Sequence, residues 1–334
     1  MSNLIPDQKL NPKLFKEPLE QRPIRDGFGE GLLKAAEEDP RIVGLCADLL
    51  ESTRMLAFAR QFPQRYFELG VAEQNLAAVA SGLAAMGKIP FLTSYATFSP
   101  GRNWEQIRTT ICYNEQNVKI IGSHAGVSVG PDGGTHQALE DIAITRVLPK
   151  LTVVVPCDAI EARKATHHLA RLVGPAYLRL AREQTPVMTT FESPFTIGQA
   201  NVLMAPDRPQ AAIIACGAPV YRALEVANDL ASQGIAVAVM NLHTIKPLDN
   251  NAIEKIARQA GAIVTVEEHQ RHGGMGSAVA EYLAEHYPVP LELIGVDDQF
   301  GQSGEPEELL NHYGLGSGAI KAAIHRVIKR KHGL

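Results

Sequence analysis

Tyr66-Phe67-Glu68-Leu69-Gly70-Val71-Ala72-Glu73-Gln74-Asn75-Leu76 runs on through Ala77-Ala78-Val79-Ala80-Ser81-Gly82-Leu83-Ala84-Ala85-Met86-Gly87 to Pro90-Phe91-Leu92-Thr93-Ser94-Tyr95. Tyr66 to Leu69 reads as a short strand, Glu73 to Met86 as a helix and Pro90 to Tyr95 as the next strand. After Glu73 the helix carries no charge until Lys88 and has small apolar residues on every side. A helix apolar all round is normally buried. Glu73 lies in its first turn. One reading is a solvated acid favoured by the helix dipole. The other is a buried carboxylate, which needs a partner or a task.

The same alternation extends both ways. Upstream are a helix over Asp26 to Glu38, stopped by Pro40, a strand over Ile42 to Ala47 and a helix over Thr53 to Gln61. Downstream the order is helix Trp104 to Tyr113, strand Val118 to Gly122, helix Gln137 to Thr145, strand Leu151 to Pro156, helix Ala159 to Leu172 and strand Ala176 to Leu180. Strands that are continuous apolar runs, alternating with helices, predict an α/β fold with a parallel sheet covered on both faces. Pro186 and Pro194 break the rhythm. It then restarts, with strands at Ala211 to Ala215, Ile235 to Met240, Ile263 to Val266 and Leu291 to Ile294. The predicted organisation is an amino-terminal arm over residues 1–22, a first parallel-sheet α/β domain over 23–184, a linker over 185–200 and a smaller second one over 201–334.

With 334 residues, 45% hydrophobic and 20% charged, the chain has ordinary globular composition and the length of two domains. A net charge of -4 and a single Trp argue against a nucleic-acid surface. Cys46, Cys112, Cys157 and Cys216 form no CxxC pair and read as free, buried thiols of a reducing compartment. The amino terminus has no apolar signal-peptide core, and no apolar run is long enough to span a bilayer. These features predict a cytoplasmic protein with no membrane contact.

In open parallel sheets, ligands bind beyond the carboxyl ends of the strands. Four polar stretches fall there: Asp48 with Glu51-Ser52-Thr53, the Gly70 to Glu73 turn, Thr97-Phe98 through Arg102, and Ser123-His124 through His136. The last is a turn-rich connection in which His124 ends a strand and His136 opens a helix. Both histidines face this edge, suited to binding polar oxygens or moving protons near neutral pH. Their spacing is not that of metal ligands, so no metal is expected on this chain. His167 and His168, beside Arg163 and Lys164, read as a solvated helix face.

Gly-Val-Ala-Glu73-Gln-Asn, Thr97-Phe98, Gly-Ser-His124, Gly-Pro-Asp132-Gly-Gly-Thr-His136-Gln and Leu-Ala-Arg182 resemble, in order and spacing, the pyrimidine-binding domain of transketolases. His243-Thr-Ile-Lys-Pro-Leu-Asp249 and Val-Glu-Glu-His-Gln-Arg-His-Gly273-Gly274-Met-Gly276 extend the resemblance into the second domain. It covers roughly residues 24 to 325.

The resemblance implies a thiamine diphosphate enzyme whose cofactor ring supplies a carbanion nucleophile and an electron sink. It places Glu73 against the aminopyrimidine nitrogen with which it shares a proton, and Phe98 on the pyrimidine face, with Tyr95 and Asp48 near that pocket. Arg25, Ser52, His124 and Arg182 match positions that hold the sugar phosphate, a task suited to arginine forks. His136 and Asp132 match substrate-side groups. The catalytic set is therefore Glu73, His136 and His124. The family's Gly-Asp-Gly motif, which binds the diphosphate through Mg²⁺, occurs nowhere in this sequence. The chain thus resembles the carboxyl-terminal subunit of a split transketolase. That implies an amino-terminal partner subunit in an α2β2 assembly, self-association through the carboxyl-terminal subunit, and sugar phosphates as substrates. A 1-deoxyxylulose-5-phosphate synthase-like half, a 2-oxoacid dehydrogenase β-like half and a non-catalytic scaffolding homologue are the alternatives.

Overall fold

The structure is a computed structural model that describes residues 3–16 and 18–333. Residues 1, 2 and 17 of the expected arm and residue 334 of the second domain lie outside these. The strands are β1 (Gln21–Pro23), β2 (Ile42–Cys46), β3 (Tyr66–Glu68), β4 (Ile89–Tyr95), β5 (Lys119–Ser123), β6 (Thr152–Val154), β7 (Ala176–Arg179), β8 (Gln184–Pro186), β9 (Asn201–Met204), β10 (Ala211–Ala215), β11 (Val237–Asn241), β12 (Thr244–Lys246), β13 (Ile263–Gln270) and β14 (Leu291–Val296). The helices are α1 (Ile24–Glu38), α2 (Leu56–Gln61), α3 (Glu73–Ala85), α4 (Trp104–Gln106), α5 (Asp141–Arg146), α6 (Ala159–Arg171), α7 (Pro219–Ser232), α8 (Asn250–Ala260), α9 (Met275–His286), α10 (Pro306–His312) and α11 (Ser317–Lys331).

The first sheet has the order β12-β6-β7-β5-β4-β2-β3 and is parallel except for β12. The second has the order β14-β13-β10-β11-β9, parallel except for its β9 edge. Every residue of β2, β5, β7 and β10 is buried, as continuous apolar strands between helical layers must be. On one face of the first sheet α1 crosses α6 at backbone contact. A Cβ on Gly27 would lie 1.8 Å from the carbonyl oxygen of Ala159, and one on Gly31 2.6 Å from that of Arg163. These two glycines, one helical turn apart, make the close crossing possible.

Several elements depart from the expectations. The linker is not free of structure: β8 pairs antiparallel with β1, closing a ribbon beneath α1. Strand β12 leaves the second domain and adds to the first sheet, opposite β6. The arm lies on the second domain: Leu14 and Leu19 are buried in its core, and Ile5 N donates to Leu203 O at 3.0 Å. After α4 the expected helix to Tyr113 continues as a π-helix over Ile107–Tyr113. The helix expected from Gln137 begins only at Asp141. Gln137 instead turns its amide inward, donating to Val127 O at 3.0 Å and Gln302 O at 3.0 Å. His136 therefore sits in a turn and does not open a helix.

Helix α3 is buried on one face only. Leu76, Ala77 and Ala80 are core residues, whereas Gln74, Ala78, Gly82 and Ala85 are exposed. Its all-round small apolar composition does not decide burial, because the sheet covers only the side that faces it. The four cysteines are free and buried. Among the described residues no helix is long and apolar enough to cross a membrane.

Candidate active site

The turn before α3 carries Gly70 at φ +69, a conformation open to glycine. It delivers Glu73 to the first helical position, where the side chain is 1% exposed. Of the two readings of this acid, the buried one holds. Both carboxylate oxygens are engaged: Ser94 Oγ donates to Oε1 at 3.2 Å and Arg102 Nη1 to Oε2 at 2.5 Å. Asn103 Nδ2 donates to the Glu73 carbonyl at 3.0 Å and to Ser99 Oγ at 3.1 Å. Glu73 is thus fixed at backbone and side chain from β4 and from the turn before α4.

Ser94 and Asn103 escape motif reading, since each is an ordinary polar residue until the fold turns it onto Glu73. Arg102 reaches Glu73 because the preceding turn is unusually tight. A Cβ on Gly101 would lie 1.9 Å from Thr97 O, so a glycine is needed there. The Arg102 guanidinium lies 4.7 Å from the centroid of the Phe98 ring, within cation–π range.

Four rings contact one another at the same sheet edge, linked to this acid through Arg102. Phe98 meets His136 edge-on at 5.4 Å and lies nearly parallel to Tyr95 at 6.3 Å. Tyr95 also stacks on His124 at 3.8 Å. The structure thus assembles Tyr95, Phe98, His124 and His136, from the ends of β4 and β5 and the loop that follows, into one wall.

Beyond that wall the site is basic. His124, at φ +57 just past β5, is 1% exposed. Arg25 Nη1 approaches its Nε2 at 3.0 Å, and its Nδ1 lies 2.9 Å from Ser123 Oγ. Since a guanidinium can only donate, Nε2 is the acceptor and Nδ1 carries the proton. Burial, then the charges of Arg25, Arg182 and Arg54, push the imidazolium of His124 down to about 2. The expectation of a proton carrier near neutral pH therefore fails for His124, which is a neutral hydrogen-bonding group.

Arg25 also donates to Ser52 O at 2.9 Å, while its Nε is buried without a partner. Burial, then Arg54, with Arg182 adding a smaller effect, lower its pKa. Arg182 donates to Val129 O at 2.7 Å and pairs with Glu183 at 3.1 Å. Arg54 is tied to Asp26 at 2.6 Å. A cluster of guanidiniums around a neutral imidazole has the donor chemistry that an anion with several oxygens requires.

Asp48 and Asp132 stand apart. Both are exposed, and neither carboxylate bonds to another residue of the site. Asp48, at φ +58 past β2, is held through its backbone N–H, which donates to Glu68 Oε1 at 2.7 Å. Among the described residues no three His, Cys, Asp or Glu side chains stand together as metal ligands. His167 pairs with Glu38 on a solvated face.

A buried acid, an aromatic wall and a cluster of guanidiniums thus gather at the carboxyl edge of a parallel sheet, where open α/β folds place their ligands. Residues 20–188 match the transketolase pyrimidine-binding domain and residues 198–320 the transketolase C-terminal domain. The chain belongs to the transketolase family, which implies dependence on thiamine diphosphate. It is 40% identical over 318 residues to a 6-deoxy-6-sulfo-D-fructose transketolase subunit of Clostridium sp. (strain MSTE9), covering 95% of this chain and 98% of that one. It is 38% identical to an apulose-4-phosphate transketolase subunit of Phocaeicola vulgatus, covering 91% and 97%. A solved split-gene transketolase, an inactive β4 tetramer, superposes with a TM-score of 0.86 at 42% identity over 92% of this chain and 99% of that one. The transketolase of Campylobacter jejuni shares the fold, with a TM-score of 0.79 at 22% identity, and this chain spans 50% of its length.

Proposed function

We propose that this chain is the carboxyl-terminal subunit of a transketolase that moves a two-carbon ketol unit from a ketose phosphate to an aldose phosphate. The observation that carries this reading is that one chain of contacts at the sheet edge joins Phe98 and Tyr95 to His124 and Arg25, with the buried Glu73 bound to Arg102 over the Phe98 ring. The residues fit thiamine diphosphate at its pyrimidine end: a fixed carboxylate for a ring nitrogen and an aromatic face for the ring. When bound, that cofactor supplies a carbon nucleophile and an electron sink. With that cofactor in place, Glu73 would hold a proton with the ring nitrogen, and Phe98 would offer its face to the ring. Because both Glu73 oxygens are engaged, one present partner has to yield. Arg102, on the solvent side with 46% of its side chain exposed, is the one free to move.

Arg25 and Arg182, with His124 and Ser52, hold the sugar phosphate. His136, at the foot of the aromatic wall, meets substrate hydroxyls. Asp132, Asp48 and Tyr95 line the approach. The chain lacks Gly-Asp-Gly, so the diphosphate and Mg²⁺ fall to an amino-terminal partner subunit in an α2β2 assembly joined through copies of this chain. The similarity to separate transketolase subunits over nearly their whole lengths supports that arrangement.

The test supplies the reconstituted pair with xylulose 5-phosphate and ribose 5-phosphate in one arm, and with pyruvate and glyceraldehyde 3-phosphate in the other. Turnover only in the first is the expected result. Turnover only in the second assigns the chain to the synthase-like alternative.

A further inference from the structure

Arg102 makes both of the contacts that a pyrimidine ring would need on this chain. Its Nη1 donates to Glu73 Oε2 at 2.5 Å, and its guanidinium carbon lies 4.7 Å from the centroid of the Phe98 ring. A guanidinium is a planar, delocalised cation with N–H donors along its edge. An aminopyrimidine is likewise planar and carries nitrogens along one edge. Any planar group that reaches the Glu73 carboxylate while covering the Phe98 ring has to enter the space this guanidinium takes up.

The surroundings fix the acid and the ring, while the arginine side chain faces water. On the other carboxylate oxygen, Ser94 Oγ donates to Oε1 at 3.2 Å from β4, and Asn103 Nδ2 holds the Glu73 carbonyl at 3.0 Å. The Arg102 N–H donates to the Phe98 carbonyl at 2.8 Å, so the turn keeps the arginine's backbone against the ring. The Arg102 side chain is 46% exposed, whereas that of Glu73 is 1% exposed. Rotation of that side chain into water releases the acid without moving α3, β4 or the turn. A carboxylate this buried is costly without a cation beside it, so Arg102 stabilises the acid for as long as it stays.

From this geometry we infer that Arg102 is a stand-in for the pyrimidine. Its side chain fills the ring's place on Glu73 and Phe98, keeps the acid paired, and is displaced when a planar amidine-like base takes that place. Arg102 is thus a built-in competitor for the ring's seat, and its removal opens that seat to small planar cations and aminopyrimidines. That the displacing base is a pyrimidine rests on the thiamine diphosphate reading, whereas the competition at Glu73 and Phe98 does not.

Calorimetry on the purified full chain with two probes, ethylguanidinium and 4-aminopyrimidine, tests the competition directly. Arg102→Ala should bind each probe at one saturable site, at least about tenfold more tightly than the wild-type chain does. Glu73→Gln added to Arg102→Ala should weaken both probes again by about tenfold. A cooperative thermal transition verifies the fold of each variant, and ethylguanidinium should raise the melting temperature of Arg102→Ala more than that of the wild-type chain. Arg102→Lys keeps a positive charge beside Glu73 but loses the planar fork, so it carries the test should the alanine variant fail to fold. It should bind 4-aminopyrimidine at least about threefold more tightly than wild type. Equal affinities in the wild-type chain and both variants, or binding indifferent to Glu73→Gln, overturn the stand-in. Tightening for ethylguanidinium alone overturns the assignment to a pyrimidine. Tightening for both probes, with no ketol transfer by the reconstituted pair, upholds the stand-in and removes the transketolase reaction.

Discussion

Glu73 is the residue on which the proposed chemistry turns, and its surroundings hold it as a fixed acceptor. A carboxylate that must share a proton with a cofactor nitrogen loses little by truncation in packing terms and nearly everything in chemistry. Glu73→Gln, assayed with the partner subunit, should lower turnover by about 10²–10⁴, while gel filtration shows the same assembly. Wild-type turnover in that variant would remove the assigned role. His124 makes a different prediction. Its folded pKa, about 2, lies below the ordinary value of 6.5. Below pH 6.5 the unfolded chain takes up a proton that the folded chain refuses. Its contribution is therefore complete above that pH and is lost as pH falls from 6.5 towards 2, by up to about 1.4 kcal/mol per unit. His124→Asn should flatten this part of the stability–pH curve, measured by urea unfolding. An unchanged slope would show that His124 is protonated in the folded chain. At this scale the sequence reveals Glu73, Phe98, His124 and His136 through the motifs around them. Arg102, Ser94 and Asn103 stay hidden, because only a tight turn and a strand register bring them to Glu73.

Among the elements, close approach and open space give glycine opposite values. At the α1–α6 crossing Gly27 faces backbone, and Gly27→Ala should destabilise the chain by about 3 kcal/mol through overpacking. Gly82, exposed on α3, has nothing within 4 Å of an added Cβ. Gly82→Ala should stabilise by about 0.5–1 kcal/mol, since glycine is the poorer helix former. Denaturant midpoints check both signs together, and a similar response at the two positions would contradict the packing described. Strand positions were legible because buried parallel strands are unbroken apolar runs. The start of α5 was not, because Gln137, acceptable in a helix on propensity alone, is drawn instead into hydrogen bonds with Val127 and Gln302. The half-exposure of α3 was hidden for a related reason: composition tells what a face tolerates, and the neighbouring layer tells what covers it.

For the whole molecule, two α/β units were legible from the restart of the strand–helix rhythm after Pro194. Their interlocking was not. The three-residue strand Thr244–Lys246 is too short to announce that it joins the other domain's sheet, and the arm's Leu14 and Leu19 carry no periodicity that names their partner. The sheet edge built by this framework gathers a buried acid, an aromatic wall and a cluster of guanidiniums, while the sequence supplies no Gly-Asp-Gly for the diphosphate. The central claim is that this chain provides one half of a divided transketolase site. Ketol transfer from xylulose 5-phosphate to ribose 5-phosphate, measured with thiamine diphosphate and Mg²⁺ for the purified chain alone and after addition of the amino-terminal subunit, tests it most directly. No transfer by the chain alone and turnover that rises to a plateau at one partner per chain is the predicted result. Sustained transfer by the chain alone would contradict it.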